Sequence, residues 1–455
     1  MAFKKSTFKM GGIHPPDNKL TRDAPLEVMP LPALLVVPLN QHIGKPAKAV
    51  VSVGDQVKRG QLIGTADGFV SANVHAPTSG KIKLIGRAVH PSGQYAEAIT
   101  IEPDGADEWE AGLNQVCNWR DLSCEEIRKR IQDAGVVGMG GAGFPTHVKL
   151  SPPSNKKIDT VILNGAECEP FLTSDYRLML EKSEEVVRGL EIVASLFNPT
   201  PRVIVGIEAN KKNALKSIGK AALHKQIELV ELDTKYPQGG EKQLITALTG
   251  RVIADGQLPF DVGCLVQNVA TCFAIDESVS KLRPLTERAT TFSGFELKNR
   301  KNLWVRLGTR IVDVMEFCGG LTRKINQLIV GGPMMGRAQF SFDIPVTKTT
   351  SGVLFIDNTE LDSFKDRPCI RCGRCVEVCP QGELPWLLVD KAMRQHADQL
   401  PSYGYSRCME CGSCSFVCPA KREIVHWIKY AKAVNARIAA REKAKMETVG
   451  KEPKA

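Results

Sequence analysis

Eight of the fourteen cysteines in this 455-residue chain fall into two copies of one spacing. The stretch CIRCGRCVEVCP supplies Cys369, Cys372, Cys375 and Cys379, with Pro380 behind. The stretch CMECGSCSFVCP supplies Cys408, Cys411, Cys414 and Cys418, with Pro419 behind. Both read C-x2-C-x2-C-x3-C-P, a ligand spacing for [4Fe–4S] cubanes. The short steps wrap three thiolates on one face of a cubane, and the turn carries the fourth to the other cluster. The pattern assigns one cluster to Cys369, Cys372, Cys375 and Cys418, and a second to Cys408, Cys411, Cys414 and Cys379. Such a chain moves single electrons. Zinc also uses C-x2-C pairs, but four ligands close its shell and the further steps have no use there. Nothing marks the chain as secreted, so a disulfide framework is not expected. The other six, Cys117, Cys124, Cys168, Cys264, Cys272 and Cys318, are scattered and read as buried free thiols.

The elements that must position these groups are bounded first by composition. A chain of this length accommodates about three domains. The formal net charge is +10. Ligand thiolates (about −8) and two oxidised cubane cores (about +4) leave roughly +6 in the loaded protein. Ten Lys/Arg stand against four Glu between Lys421 and Ala455, a run that reads as a solvated face or a dock for acidic surfaces. Basic residues do not interleave with aromatics, which excludes the pattern of nucleic-acid binding. The start lacks the apolar region of a signal peptide. LPALLVVPL (31–39) is too short to span a bilayer and is broken by Pro32 and Pro38. The expectation is a cytoplasmic protein, or one peripheral on the cytoplasmic face of the inner membrane.

Residues 1–115 read as β-rich. AKAVVSVGDQVKRGQLIGTADG alternates short apolar runs with Gly-Asp and Arg-Gly turns, and VHAPTSGKIKLIG follows in kind. This resembles the barrel-sandwich modules of lipoyl and biotinyl carriers, but the tip ADGFVSAN (66–73) has no lysine to hold a cofactor. The expectation is the shape without the covalent group. From about Arg120 the pattern becomes α/β. SCEEIRKRIQDAG predicts a helix with Ser123 as N-cap, Glu126 three residues on and Gly135 as its stop. DTVILNGAE (159–167), RVIVGIEAN (202–210) and QIELVEL (226–232) predict strands that alternate with helices, including one over 183–197, and so a largely parallel sheet. NLWVRLGTRIVDVMEFCGG resembles part of a small β-grasp module. LPWLLVDKAMRQH (384–396) reads as a helix between the cysteine groups. In 423–446, Ile424, Ile428, Ala431, Val434 and Ile438 share one face of an amphipathic helix.

The Gly-rich run GVVGMGGAGFPTHVKL (135–150) is the second chemical signal. Gly138, Gly140 and Gly143 satisfy G-x-G-x-x-G, yet a helix precedes them where a dinucleotide fingerprint needs a strand. Closely spaced glycines still let backbone N–H groups approach a phosphate, and Lys149 adds charge. ILNGAECEP places Asn164, Glu167 and Glu169 in a loop at a strand's carboxyl end, where ligands of α/β sheets sit. YPQGGEKQL and LVQNVATCFAI are further polar knots between apolar runs.

Together these stretches resemble the RnfC family, the C subunits of membrane-bound Rnf-type ferredoxin:NAD oxidoreductases, and in looser form the flavin-binding subunit of respiratory complex I. GGIHPPDNK, NQHIG, VHAPTSG, GAGFPTHVKL, AECEP, TKYPQGGEKQL, GGPMMG and the doubled cysteine motif carry the resemblance over nearly the whole chain. It implies a noncovalent FMN and an NAD(H) site in the α/β domain. Gly138, Gly140, Gly141, Gly143 and Lys149 would line the flavin phosphate, and Asn164, Asn268 and Thr271 would contact flavin. Gly240 and Glu241 would lie near flavin and nicotinamide, Phe144 would stack on the NADH base, and Glu169 would sit near its ribose. Two departures stand out: Ala166 replaces an acidic residue, and a second stacking aromatic is missing near Pro152 and Pro153. The implied function passes electrons between NAD(H), FMN and two [4Fe–4S] clusters, with other membrane subunits as partners and ferredoxin reached through the complex. The alternatives are a soluble flavin/iron–sulfur reductase of the cobalamin-reductase kind and a pure electron relay. The implied domains are a barrel-sandwich hybrid (1–115), an α/β FMN/NAD(H) domain (116–295), a β-grasp module (296–348), a ferredoxin-like two-cluster domain (349–422) and a basic helix and tail (423–455).

Overall fold

A computed structural model describes residues 3–357, 367–394 and 397–449. They form two compact units. Among these residues, the first comprises 3–7, 16–234 and 238–357; the second comprises 8–15, 235–237, 367–394 and 397–449.

The larger unit contains the expected parallel sheet. Its five strands run in the order Lys4–Ser6, Ile227–Leu232, Arg202–Glu208, Thr160–Gly165, Cys264–Asn268, all paired in parallel. The central strands VILN and VIVGI are buried on both faces, as parallel strands covered by helices must be. Helix α1 (Cys124–Asp133) starts on Ser123, whose side chain accepts from the Glu126 amide while Glu126 reaches back to the Ser123 amide. The helix stops where Gly135 takes φ +64°. Then come α2 (Thr146–Lys149), α3 (Ser174–Glu181), α4 (Ser183–Ser195), α5 (Lys212–Ala221), α6 (Glu241–Thr249) and α7 (Val269–Ser280). Val186, Val187, Leu190 and Val193 turn one face of α4 into the core beneath the sheet. Gly189 allows the closest approach of α4 to α7, since a Cβ there would stand 1.9 Å from the Cys272 carbonyl oxygen.

The barrel-sandwich strands begin only at Leu35. One sheet orders Leu35–Pro38, Tyr95–Pro103, Gly80–Val89 and Gln56–Val57; the other orders Lys48–Ala49, Leu62–Thr65 and Val74–His75. Leu35, Val37, Ile63, Ile82, Ile99 and Ile101 fill the space between them. The residues before Leu35 serve other sheets. Lys4–Ser6 extends the parallel sheet, and Leu26–Val28 pairs with Lys301–Arg306. That second pairing forms the edge of a six-stranded sheet that also holds Glu287–Ser293, Gln327–Val330, Arg337–Gln339 and Gly352–Ile356. The β-grasp region therefore draws on strands outside the expected 296–348, because an edge strand is recruited by pairing and not by sequence proximity. Of the six scattered cysteines, Cys264, Cys272 and Cys318 are buried thiols; Cys117 and Cys168 are half-buried and Cys124 is exposed.

In the smaller unit the two cysteine motifs fold alike. Arg371 and Glu410 take φ +54° and +60°, and Gly373 and Gly412 take +80° and +83°. Each glycine opens a short helix, Arg374–Glu377 or Ser413–Phe416. The helix expected over 384–396 spans Pro385–Met393, and residues 395–396 of that expectation lie outside the described ones. The last helix runs Ile424–Val449. Ile424, Ile428 and Ala431 of its expected apolar face are buried, Val434 packs at the margin, and Ile438 is exposed.

Two substitutions separate local from tertiary stabilisation. Ser123→Ala should cost about 1 kcal/mol through the lost cap. Gly189→Ala should cost about 1–3 kcal/mol or more, because backbone must yield to the new methyl. Thermal unfolding of the full chain should show the larger drop in midpoint for Gly189→Ala; equal drops would contradict the packing described.

Candidate functional site

The Gly-rich run folds as a tight hairpin. Val137 bridges to Pro145, the Gly138 amide donates to the Phe144 carbonyl at 2.9 Å, and the Thr146 amide donates to the Val136 carbonyl at 3.0 Å. The loop lies on the carboxyl end of the sheet. Asn164 and Asn268 are register partners on adjacent strands. Asn268 caps α7 by accepting from the Thr271 amide, and the Thr271 hydroxyl accepts from the Met139 amide at 2.9 Å. A Cβ on Gly140 would meet the Asn268 amide nitrogen at 2.5 Å, whereas one on Gly141 would meet nothing within 4 Å. Gly140 is thus required for packing, and Gly141 faces open space. Asn164 donates to the Gly239 carbonyl at 2.8 Å, and Lys149 pairs with Glu241, the first residue of α6, at 2.8 Å. The hairpin, Asn164, Gly240, Glu241, Asn268 and Thr271, far apart in sequence, meet in one place.

Glu167 and Glu169 have other engagements. The Glu167 carboxylate accepts from the Asp175 and Tyr176 amides at 2.8 and 3.1 Å, at the start of α3. The Glu169 carboxylate accepts from the Met334 and Met335 amides at 3.1 and 2.9 Å, inside the GGPMMG turn. Phe144 keeps part of its ring in solvent.

Several residues of the site carry no signal in the sequence. Lys19 donates to the carbonyls of Glu167, Glu169 and Leu172 at 2.9, 2.8 and 2.5 Å. Buried Lys211 donates to the Ala166 carbonyl and to Glu208, at 2.6 and 2.8 Å. Buried Lys348 donates to the carbonyls of Asn73 and Gly135, at 2.6 and 2.7 Å. Buried Arg288 reaches the carbonyls of Lys348 and Met139. Desolvation pushes Lys19 down to about 8 and Lys348 down to about 7. Asp175 lies beneath Asn268, whose side-chain amide donates to it at 2.6 Å. Burial first, and then the neighbouring Glu167 charge, push Asp175 up to about 7, while the Asn268 bond and Arg288 pull the other way.

In the smaller unit a pocket is lined by Cys379, Cys408, Cys411 and Cys414 together with Pro385, Leu388, Val425 and Ile428, and by the polar side chains of Gln381, Glu383 and Ser413. Burial raises the Cys411 and Cys414 thiols and takes Cys408 to about 11, and the Cys379 charge adds to the rise in all three. A buried thiolate needs a compensating cation, which a metal core supplies. Burial raises Cys375, and Cys369 and Cys372 add to the rise; Cys375 and Cys414 lie in one apolar core, with Cys408 and Cys418 both at its margin. Backbone amides of Arg371 and Glu383 point at the Cys369 and Cys379 sulfurs at 3.4 and 3.3 Å, the kind of bond that tunes cluster potential. Among the described residues, no three His, Cys, Asp or Glu side chains are drawn close enough to hold a metal ion as they stand. Four thiols line one pocket whose exposed surface is otherwise largely apolar, and the buried Glu383 beside them is paired with Arg407; a set of thiols of this kind fits a cubane.

Four family models match: the RnfC barrel sandwich hybrid domain over residues 6–106, the Nuo51 FMN-binding domain over 131–277, the SLBB domain over 293–338 and the 4Fe-4S dicluster domain over 368–422. The chain is 49% identical to the C subunit of the proton-translocating ferredoxin:NAD(+) oxidoreductase complex of Clostridium ljungdahlii, over 96% of this chain and 95% of the relative. It is 43% identical to the C subunit of the Na(+)-translocating complex of Acetobacterium woodii, over 95% and 98%.

The chain belongs to the RnfC family. The expected fold class, with its barrel-sandwich, flavin-type α/β, β-grasp and two-cluster modules, is borne out. So is the expected cofactor complement of FMN and two [4Fe–4S] clusters for this Rnf-type protein. An NAD+-reducing [NiFe]-hydrogenase is a looser structural neighbour, at TM-score 0.47 and 18% identity over 62% of this chain and 54% of that one. Among the described residues, no helix is long and apolar enough to cross a membrane.

The raised Asp175 has a consequence for stability. Its folded-state pKa lies above the ordinary carboxylate value, so between about 4 and 7 the folded chain binds more protons than the unfolded one. The contribution of this one carboxyl to stability therefore falls as pH rises through that window, whatever the buried histidines and the hydrogen-bonded carboxylates add in the opposite sense. Asp175→Asn should remove this term, so that the unfolding temperature of the variant gains relative to the parent as pH rises from about 4 to about 7. An unchanged slope would contradict the assignment.

Proposed function

We propose that this RnfC-family chain is the peripheral NAD(H)-oxidoreductase component of a membrane complex, on its cytoplasmic side, passing electrons between NAD(H), FMN and two [4Fe–4S] clusters. The complex would thereby couple ferredoxin/NAD chemistry to ion translocation. The observation that carries the proposal is the convergence of the Gly-rich hairpin, Asn164, Asn268 and the Lys149–Glu241 pair at one sheet end, in a chain that also groups Cys379 with the second cysteine motif. A bound flavin accepts electrons pairwise from a nicotinamide and releases them singly to clusters.

The chain's own residues would bind and orient these groups. Gly138, Gly140, Gly141 and Gly143 keep the hairpin free of side chains, and Lys149 would offer its ammonium to the flavin phosphate. Asn164, Asn268 and Thr271 would contact the flavin, Gly240 and Glu241 would lie beside it, and Phe144 would face the NADH base. Glu167 and Glu169 would act mainly by fixing the loop, given the amides that hold them. Cys369, Cys372, Cys375 and Cys418 would hold one cluster and Cys408, Cys411, Cys414 and Cys379 the other. The division into modules at 1–115, 116–295, 296–348, 349–422 and 423–455 is proposed with the modifications that the N-terminal strands require. The barrel-sandwich match argues against the soluble cobalamin-reductase alternative, which lacks a full module of this kind.

Lys149→Ala should lower the FMN retained through purification about tenfold, roughly the worth of one charge-assisted bond; unchanged flavin content would count against the site. Cys379→Ser should disturb the cluster held with Cys408, Cys411 and Cys414, and Cys418→Ser the other. EPR of each variant after dithionite reduction distinguishes this crossed arrangement from an uncrossed one, in which the two losses would be exchanged.

A further inference from the structure

The barrel-sandwich module carries a hairpin turn, residues 66–73, between Leu62–Thr65 and Val74–His75, at the position where carrier domains of this shape hold a swinging lysine. Here the hairpin is fastened down. The Ala66 amide donates to the Asn73 side chain at 2.9 Å, and the Asp67 amide donates to the Ser71 hydroxyl at 3.0 Å. The Ser71 hydroxyl donates to the Lys45 carbonyl at 2.8 Å, and the Ala72 amide donates to His42 at 3.1 Å. Asp67 also pairs with Lys45 and Lys48 at 2.6 and 3.2 Å.

The same hairpin is tied to the Gly-rich loop. The Asn73 side chain donates to the Asp133 carbonyl at 3.2 Å. Lys348 bridges the carbonyls of Asn73 and Gly135. A Cβ on Gly135 would stand 2.2 Å from the Asn73 carbonyl oxygen. The Ile43 amide, next to the hairpin's His42 partner, donates to the Gly143 carbonyl at 3.2 Å. The backbone of Phe69 faces the His147 imidazole and favours its charged form, against the burial that lowers its pKa.

This arrangement leaves an apolar side chain in water at a fixed place. Phe69 is 73% exposed, and Phe144 and Ile43, which flank or contact Gly143, are 37% and 46% exposed. A single exposed apolar residue is ordinary. An exposed aromatic at the centre of a loop braced on both sides, beside a Gly-rich hairpin with open space over Gly141, is a preorganised platform.

We propose that Phe69, carried by the barrel-sandwich hairpin, forms part of the dinucleotide site and takes the purine base of NAD(H) against its ring. The inference rests on the reading of the chain as an NAD(H) oxidoreductase, and it gives the N-terminal module a role in substrate binding. The nicotinamide end, which meets flavin, would not involve Phe69.

The test compares NADH with reduced nicotinamide mononucleotide, which lacks the purine, as reductants of the FMN- and cluster-loaded complex. Phe69→Ala should raise KM for NADH roughly tenfold or more, the scale of a lost base–aromatic stack. It should leave KM for the mononucleotide and the FMN content unchanged, and Phe69→Tyr should restore the NADH value. Phe340→Ala, at another exposed phenylalanine, should change neither. If Phe69→Ala releases flavin, Phe69→Leu keeps the apolar bulk without the aromatic face, and the same comparison decides. An unchanged NADH KM, or equal shifts for both reductants, would overturn the inference. A wild-type complex inert to both reductants would instead overturn the NAD(H) reading itself.

Discussion

The cofactor loops of the larger unit depend on basic side chains that leave water to bind backbone carbonyls. Lys19 gathers three carbonyls of the 167–172 loop, Lys211 takes that of Ala166, Lys348 takes that of Gly135 and Arg288 reaches that of Met139. A loop with no ladder partners must still satisfy its carbonyls once it is buried, and a charged donor does so with the stronger kind of hydrogen bond. The arrangement fixes the Gly-rich hairpin and the NGAECEP loop without filling the space above them.

Each site is assembled from segments that are distant in the chain. Lys19 reaches a loop about 150 residues away, and Lys348 joins the barrel hairpin to the end of α1. The smaller unit is built the same way. Gly11 lies where a Cβ would meet the Cys379 backbone at 2.6 Å, and the Tyr236 hydroxyl donates to the Cys411 carbonyl at 2.6 Å. Residues 8–15 and 235–237 therefore belong structurally with the cysteine motifs, although neither contains a cysteine.

The sequence made local features legible. The capping box at Ser123, the apolar periodicity of α4, the buried strands and the doubled cysteine spacing follow from short-range rules, and the structure has them where those rules put them. The glycines of the hairpin were visible too, but their separate reasons were not. Gly140 yields to Asn268, some 130 residues on, while Gly141 yields to nothing. The engagement of Glu167 and Glu169 with amides, the clamping lysines and Asp175 were invisible, because a lone Lys or Asp has no periodicity and its partner is chosen by the fold. Proximity in the chain assigns Lys4–Ser6 and Leu26–Val28 to the barrel, and sheet pairing places them elsewhere.

The central claim is that one chain carries electrons from a nicotinamide through flavin to clusters. An anaerobic titration of the cluster-reconstituted, FMN-loaded protein with NADH, following flavin absorbance and cluster EPR together, tests it most directly. The account predicts that the flavin bleaches and that the clusters then become paramagnetic. Clusters that dithionite reduces while NADH leaves both signals unchanged, with flavin present, would contradict it.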